Sequence, residues 1–521
     1  MMITLVIDNR TVQVPPGTTV LQAAQSLGIS IPALCYRQDF EPSSSCMVCV
    51  VEVEGFSGLM PSCALMAEEG MRVRTNTPQV LAARRAALEL LLSDHIGDCE
   101  GPCRSGCPAG MDIPRMIRYL AAGEWTKAIE IVKRDLALPA VLGRICPAPC
   151  ERVCRRARQD QAVSICLLKR FAADRDLQSP TPYRPICRPS SGKKVAVVGA
   201  GPCGLSAAYY LVRHGHPCVI FEQKDKAGGM LRCRQLQEKL PEEILEREIG
   251  LIFDLGVSFR PNQKLGRDIY LENLRRDFDA VFLAAGQGAA EEHLASRLRI
   301  KDGHIEVDHS TLQTSMEGVF AGGGLIGSRR LCVRAAADGK LAALSIHQYL
   351  TEGRAAGEPW EFHSRLGTLT EEEWRKFVSS ADLIPRVEPA EPEAGLSEEE
   401  AVKEARRCLH CDCRKKKNCK LRQLSTELKL AIGTYKGQRR QYARADSHPE
   451  VVFESGKCIQ CGLCVQVLNR NKVPEGLTFR GRGFGMQVSA ALDEAPDKAA
   501  GQAARLCVQV CPTGAWALKN R

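Results

Sequence analysis

The sequence predicts a multidomain chain that combines α/β with α+β architecture. Three observations carry this expectation. At 521 residues the chain exceeds the roughly 100–200 residues of a single domain several times over. Its 25 cysteines fall in tight groups, with long cysteine-poor stretches between them. Between two of these groups, residues 191–350 switch to the strand–helix alternation of a parallel sheet. No apolar run reaches the ~18 residues of a membrane helix. The opening MMITLVIDNRTVQV alternates like a strand and is not built like a signal peptide. Both point to the cytoplasm and away from a membrane.

Each segment has its own signature. Residues 1–76 alternate like strands and turn at Pro15–Gly17. They carry Cys35, Cys46, Cys49 and Cys63, spaced C-x10-C-x2-C-x13-C. Thiolates on loops of this kind can fold over one two-iron cluster; zinc or plain buried thiols are the alternative. Residues 77–190 read as helical, opening on Thr77 as N-cap with Pro78 at the first helical position. They hold a split group: His95, Cys99, Cys103 and Cys107, then Cys146, Cys150, Cys154 and Cys166. A surface histidine is the plain reading of His95.

Residues 191–350 begin with the apolar strand Lys193–Val198. The loop Gly199, Ala200, Gly201, Pro202, Cys203, Gly204 follows, then a helix over Leu205–Arg213. Glycines spaced Gly-x-Gly-x-x-Gly allow a tight turn, close approach to a pyrophosphate and helix-on-strand packing. Glu222 closes the next strand, where an acid can hold a ribose hydroxyl. Residues 351–400 are polar and proline-bearing and read as a linker, with EPAEPEAG at 388–395. Ser397 and Glu400 form a capping box for a helix running into Cys408.

Residues 401–449 carry Cys408, Cys411, Cys413 and Cys419, four thiols that can wrap one four-iron cube or one zinc. In residues 450–521, Cys458, Cys461 and Cys464 keep a C-x2-C-x2-C run, but Leu468 stands at its fourth position. Cys507 and Cys511-Pro512 keep the end of a second run whose first positions are Gly501 and Ala504. In two-cluster ferredoxins the fourth cysteine of each run serves the other cluster. One complete set therefore survives, Cys458, Cys461, Cys464 and Cys511, and Cys507 is stranded.

The formal charge of +10 does not argue for nucleic acid. Each four-iron cluster held by four thiolates carries about −2, so several would balance it. Aromatics are only 5%, and no helix-turn-helix or aromatic-basic interleaving appears.

Several segments resemble known families. LCYRQDFEPSSSCMVCVVEVEG resembles the [2Fe-2S] ferredoxin domain that opens the large subunit of NADH dehydrogenase (complex I) and iron-only hydrogenases, which implies a β-grasp ferredoxin fold. CRSGCPAGMDIP with GRICPAPCERVC resembles the helical two-cluster domain of the glutamate synthase small subunit and dihydropyrimidine dehydrogenase. That resemblance implies one [4Fe-4S] cluster on Cys99, Cys103 and Cys154 with His95. It implies a second on Cys107, Cys146 and Cys150, with the family's fourth side chain near Lys169 and Cys166 close enough to substitute. The 191–350 stretch resembles the Rossmann-like FAD domain of the glutamate synthase small subunit, including Gly228, Gly229 and Met230 in KAGGMLRC. Its closing element is GVFAGGG, with Gly323 and Gly324; the family's usual aspartate is Gly324 here. GLTFRGRGFGMQV followed by CPTGA looks like the ferredoxin-type arms of formate dehydrogenase and complex I subunits, a C-terminal ferredoxin-like domain.

The relatives place an NADPH-binding fold before that closing element. Here only the 31 residues 287–317 lie there, barely one βαβ unit of about 30 residues and without a glycine-rich loop. Residues 190–350 also lack a C-x-x-C: Cys203, Cys218, Cys233 and Cys332 stand alone, which excludes disulfide reductase chemistry. The resemblances imply FAD, one [2Fe-2S] cluster and about four [4Fe-4S] clusters, with zinc as the alternative at 408–419. They imply an electron-transfer subunit of an oxidoreductase complex, compatible with electron bifurcation. Its partner would be a formate dehydrogenase, a hydrogenase or an NADH-oxidising subunit, with ferredoxin as a further candidate. The alternatives are a stand-alone FAD-dependent reductase of a small substrate, or a cluster-bearing sensing module. No catalytic residue is identified.

Overall fold

The computed structural model describes residues 2–519 apart from 288–293, 295, 328–330, 436, 475 and 491–493. Two units emerge, and neither is continuous in sequence. One comprises residues 1–100, 360–380 and 411–521; the other comprises 101–359 and 381–410. The segments expected at 77–190 and 401–449 are thus each divided, at residue 100 and at residue 410.

In the first unit, β1 (Ile3–Ile7), β2 (Arg10–Val14), β3 (Val50–Val53), β4 (Met60–Pro61) and β5 (Arg72–Arg74) form a mixed sheet in the order β2-β1-β5-β3-β4. β1 runs parallel to β5 and antiparallel to β2, with Leu5 opposite Val12. The helix Pro78–Ser93 starts as expected, with the Thr77 side chain accepting from the Val80 N–H.

Residues 360–380 correct the linker expectation. Thr370 and Glu373 make a reciprocal capping box for the helix Glu371–Val378. Trp374 and Phe377 are buried on it, and Phe377 lies edge-on to Tyr442 at 5.6 Å. Arg439 grips both oxygens of Glu373, at 2.7 and 2.9 Å. The apolar residues sit three apart in a charge-dense stretch, so average polarity hid a one-faced helix.

The second unit is built on a parallel sheet. β6 (Val195–Val198), β7 (Cys218–Phe221), β8 (Ser258–Arg260), β9 (Ala280–Leu283) and β12 (Val319–Ala321) run β12-β9-β6-β7-β8. VAVV and AVFL are buried throughout, as strands covered on both faces must be. Within 287–317 the hairpin of β10 (Ile300–Lys301) and β11 (His304–Ile305) is described; residues 288–293 and 295 lie outside the described residues.

The helix after the glycine loop spans Pro202–Arg213, three residues earlier than expected, because proline at N1 is already set for helical φ. A second helix, Cys332–Glu352, packs along it. Their backbones nearly touch at Gly339, where a Cβ would stand 2.2 Å from the Cys203 carbonyl oxygen and 2.8 Å from the Ala207 nitrogen. The Ser206 hydroxyl donates to the Ala336 carbonyl at 2.7 Å across the same seam. A helix-interior glycine costs about 1 kcal/mol against alanine, and this approach is what it permits.

The segment 381–410 is fastened by buried charge. Glu404 accepts from the N–H groups of Ser164 and Val387 at 2.7 and 2.8 Å and from Arg407 at 2.8 Å. The Ser397–Glu400 capping box forms as expected and starts the helix Glu398–Arg406.

Gly339→Val should wedge the two helices apart and cost at least about 2 kcal/mol, the range for an overpacked core. A thermal melt that stays within error of the parent would refute the close-packing account.

Candidate cluster and flavin sites

Four cysteines converge at the first site. The Cys46 and Cys63 thiols both hydrogen-bond to Cys35, and Cys63 also to Cys49. All four are buried. Shared hydrogen bonds hold the Cys35 thiol far below its ordinary range and push Cys63 up.

A second group lines one enclosed, apolar cavity in the 101–359 unit: Cys107, Cys146, Cys150 and Cys166, together with Lys169 and Val333. Cys146 is lowered to about 6, first by the hydrogen bond from Cys166 and then by the Lys169 ammonium, against burial. Burial pushes Cys150 up to about 12. Lys169 is itself committed, its Nζ donating to the Leu142 carbonyl at 3.0 Å. Its charge faces the thiols without competing for their place.

A third group, Cys458, Cys461, Cys464 and Cys511, lines another enclosed cavity, walled by Val488 and Trp516. Trp516 belongs to β15 (Trp516–Leu518), which pairs antiparallel with β14 (Val451–Glu454), itself paired antiparallel with β13 (Arg444–Ala445). Cys507 is fully buried and is not among the lining residues. Leu468, at the position of the lost ligand, is also fully buried.

The local backbone explains how loops aim these sulfurs. Met47, Ala148, His410 and Gln460 adopt φ of 51°, 49°, 49° and 54°. Each follows a site cysteine by one or two residues. The Gln460 N–H points at Cys458 Sγ at 3.3 Å and the His410 N–H at Cys408 Sγ at 3.4 Å. Backbone N–H groups likewise reach Cys46 from Val48 and Cys146 from Ala148. A non-glycine residue held left-handed costs of order 1–3 kcal/mol and marks functional loops. N–H groups gathered this way suit an anionic sulfur.

The remaining ligand candidates divide between the units. His95, Cys99, Cys411, Cys413 and Cys419 lie in the first; Cys103, Cys154 and Cys408 lie in the second. Burial, then the charges of Lys457 and Arg440, lower His95 to about 4, so its imidazole is neutral at pH 7, the form that can bind a metal.

The glycine loop fits a dinucleotide. Gly199 has φ +105° and a Cβ there would meet the Ala284 carbonyl at 2.4 Å; at Gly204 it would meet the Gly199 carbonyl at 1.9 Å. At Gly201 a Cβ would meet nothing within 4 Å, which is the open space a pyrophosphate needs above a helix N-terminus. The buried Glu222 carboxylate accepts from Ala200 N at 2.8 Å and Lys224 N at 3.0 Å. It retains lone pairs for a ribose hydroxyl. Gly228 N donates to Ala200 O at 2.8 Å, and a Cβ on Gly229 would stand 3.0 Å from Gly201 Cα. Met230 is 72% exposed and packs little here. Cys203 is buried under Gly322 and Gly323.

Gly324 has a steric reason. A Cβ there would stand 2.8 Å from Gln287 N, so the chain at 286–287 leaves no room for an aspartate. A carboxylate from elsewhere serves this turn: Asp338 Oδ2 accepts the Gly323 N–H at 3.1 Å. Asp338 was not legible beforehand, since nothing in its spacing marks it.

Comparison with known proteins finds matches for three stretches of the chain. Family models match residues 1–78 as a 2Fe-2S iron-sulfur cluster binding domain, residues 94–181 as dihydropyrimidine dehydrogenase domain II with a 4Fe-4S cluster, and residues 164–339 as a pyridine nucleotide-disulphide oxidoreductase. Most of residues 1–339 is therefore similar to iron–sulfur and pyridine nucleotide-disulphide oxidoreductase domains. Over 36% of its length it is 41% identical to the beta subunit of an NADPH-Fe(3+) oxidoreductase of Geobacter sulfurreducens. Over 38% it is 39% identical to the beta subunit of an NADP(+)-dependent formate dehydrogenase of Moorella thermoacetica. Over 40% it is 37% identical to the glutamate synthase [NADPH] small chain of Bacillus subtilis. The chain covers 28%, 30% and 43% of those proteins.

Cys166→Ala should cost the 107/146/150 site one thiolate. The expected result is a labile iron and a three-iron EPR signal in oxidised protein, with little loss of fold. Cys507→Ser should leave iron content unchanged. An unaltered cluster spectrum in Cys166→Ala would remove Cys166 from the ligand set.

Proposed function

We propose that this chain is an iron–sulfur flavoprotein subunit that carries electrons between FAD, a series of clusters and a partner catalytic subunit. The observation that carries the reading is one helix. On Cys332–Glu352, Val333 lines the cavity of Cys107, Cys146, Cys150 and Cys166, while Asp338 holds the flavin-loop N–H of Gly323. Five residues of helix span about 7.5 Å, so the cluster cavity and the flavin loop share one rigid wall. The other unit repeats the theme. The Ser43 hydroxyl, in the loop between Cys35 and Cys46, donates to the Cys461 carbonyl at 3.1 Å.

FAD, when bound, exchanges two electrons with a hydride donor or one with a cluster. This chain's residues bind and orient. The open N-terminus at Gly201 receives pyrophosphate, Glu222 receives ribose, and Ile113, Leu136 and Val333 keep water from the thiols of the cluster cavity. Cys166 serves as fourth ligand to the cluster of Cys107, Cys146 and Cys150.

The hydride donor belongs to a partner, because 287–317 is too short for a nicotinamide fold. That partner is of formate dehydrogenase, hydrogenase or NADH-oxidising type, and a ferredoxin is a suitable external carrier. No helix among the described residues is long and apolar enough to cross a membrane. Thiolate-held clusters suit the reducing cytoplasm. The 1–76 domain is of β-grasp ferredoxin type.

Anaerobically purified chain should hold about 18 irons, from one two-iron and four four-iron clusters, with one FAD. Neither NADH nor NADPH alone should bleach it. Rapid bleaching by one nucleotide would make this chain itself the dehydrogenase.

A further inference from the structure

The cysteines outside these three groups sort differently from their spacing. In the first unit, the Cys413 N–H donates to the Cys99 carbonyl at 3.3 Å, although the two lie in distant parts of the chain. Cys419 lies within electrostatic reach of both. Cys99, Cys413 and Cys419 are each at most 7% exposed. Cys413 Sγ lies so close to Gly514 that a Cβ there would be 2.2 Å from it. The Ser364 N–H donates to Cys99 Sγ at 3.4 Å, a contact that suits an anionic sulfur.

In the second unit, contacts link the segments that carry a different trio. Arg156, two residues after Cys154, donates to the Arg407 carbonyl at 2.8 Å, and Cys408 is the next residue. The short helix Pro102–Gly106, which carries Cys103, packs on Pro149–Arg152 just before Cys154. There, a Cβ on Gly106 would stand 2.5 Å from Val153. Cys103, Cys154 and Cys408 all pack against one apolar core. The His410 N–H then aims at Cys408 Sγ as Gln460 does at Cys458.

We propose that the two sets implied by spacing exchange members: Cys99, Cys413 and Cys419 hold one cluster, and Cys103, Cys154 and Cys408 hold another. A four-iron cube is rigid, so its thiolates must surround one point. Each new trio lies within a single unit. The buried ion pair of Lys457 with Glu454, at 2.5 Å, lies beside Cys413. This inference rests on the chain being a cluster protein.

Anaerobic EPR and iron counting on Cys→Ser variants of the full chain read the grouping. Cys99→Ser and Cys413→Ser should each remove the same signal and about four irons, and the double variant should lose no more. Cys154→Ser and Cys408→Ser should remove a different signal in common. Loss by Cys99→Ser of the signal missing in Cys154→Ser would overturn the proposal, as would a double variant that loses about eight irons. Should the serine variants fold poorly, Cys99→Asp and Cys413→Asp retain an anionic ligand. Both should then shift the g-values of one and the same cluster, and shifts in different clusters would overturn the proposal. Iron-free wild-type protein would instead refute the electron-transfer reading.

Discussion

The contact on which the second unit depends is the near-touching of two helix backbones at Gly339. It lets the helix Cys332–Glu352 lie flat on the glycine-loop helix, with the Ser206–Ala336 hydrogen bond sealing the seam. That position delivers Val333 to a cysteine-lined cavity and Asp338 to the flavin turn. Gly324 follows from the same economy of space. With residues 286–287 pressed against the turn, an aspartate cannot fit there, and a carboxylate borrowed from the neighbouring helix holds the turn instead.

A second constraint recurs at the cysteines. Left-handed residues place backbone N–H groups against sulfur at Cys46, Cys146, Cys408 and Cys458. Four loops of unrelated sequence thus accept the same local strain, and the N–H groups so placed suit an anionic sulfur in each. Around them the cavity walls are apolar, with Ile113 and Leu136 in one and Ile459 and Trp516 in the other. Such walls exclude water from the thiolates, and Lys169 offsets part of the charge so concentrated.

Much of this was legible because the informative residues lie close in sequence. Cys458, Cys461, Cys464 and Cys511 line one cavity, and the glycine loop with Glu222 folds in the order of strand, turn, helix, strand and acid read from the sequence. What escaped depends on contacts between distant segments. Residues 360–380 read as a linker because Trp374 and Phe377 are diluted by glutamates. The meeting of the Cys413 N–H with the Cys99 carbonyl escaped as well, because spacing carries no information about which loops meet. Asp338 gave no signal, whereas Gly339, amid small residues in a helix, was a usable hint of close packing.

One helix joins the flavin loop to a four-cysteine cavity. Crystals of the anaerobic protein measured at the iron absorption edge would show whether a cluster and a dinucleotide sit on either side of it. The expected result is anomalous density for a four-iron cluster in contact with Val333, bonded to Cys107, Cys146, Cys150 and Cys166, with FAD pyrophosphate over Gly201. An iron-free cavity beside Val333, or a dinucleotide bound away from Gly201, would contradict it.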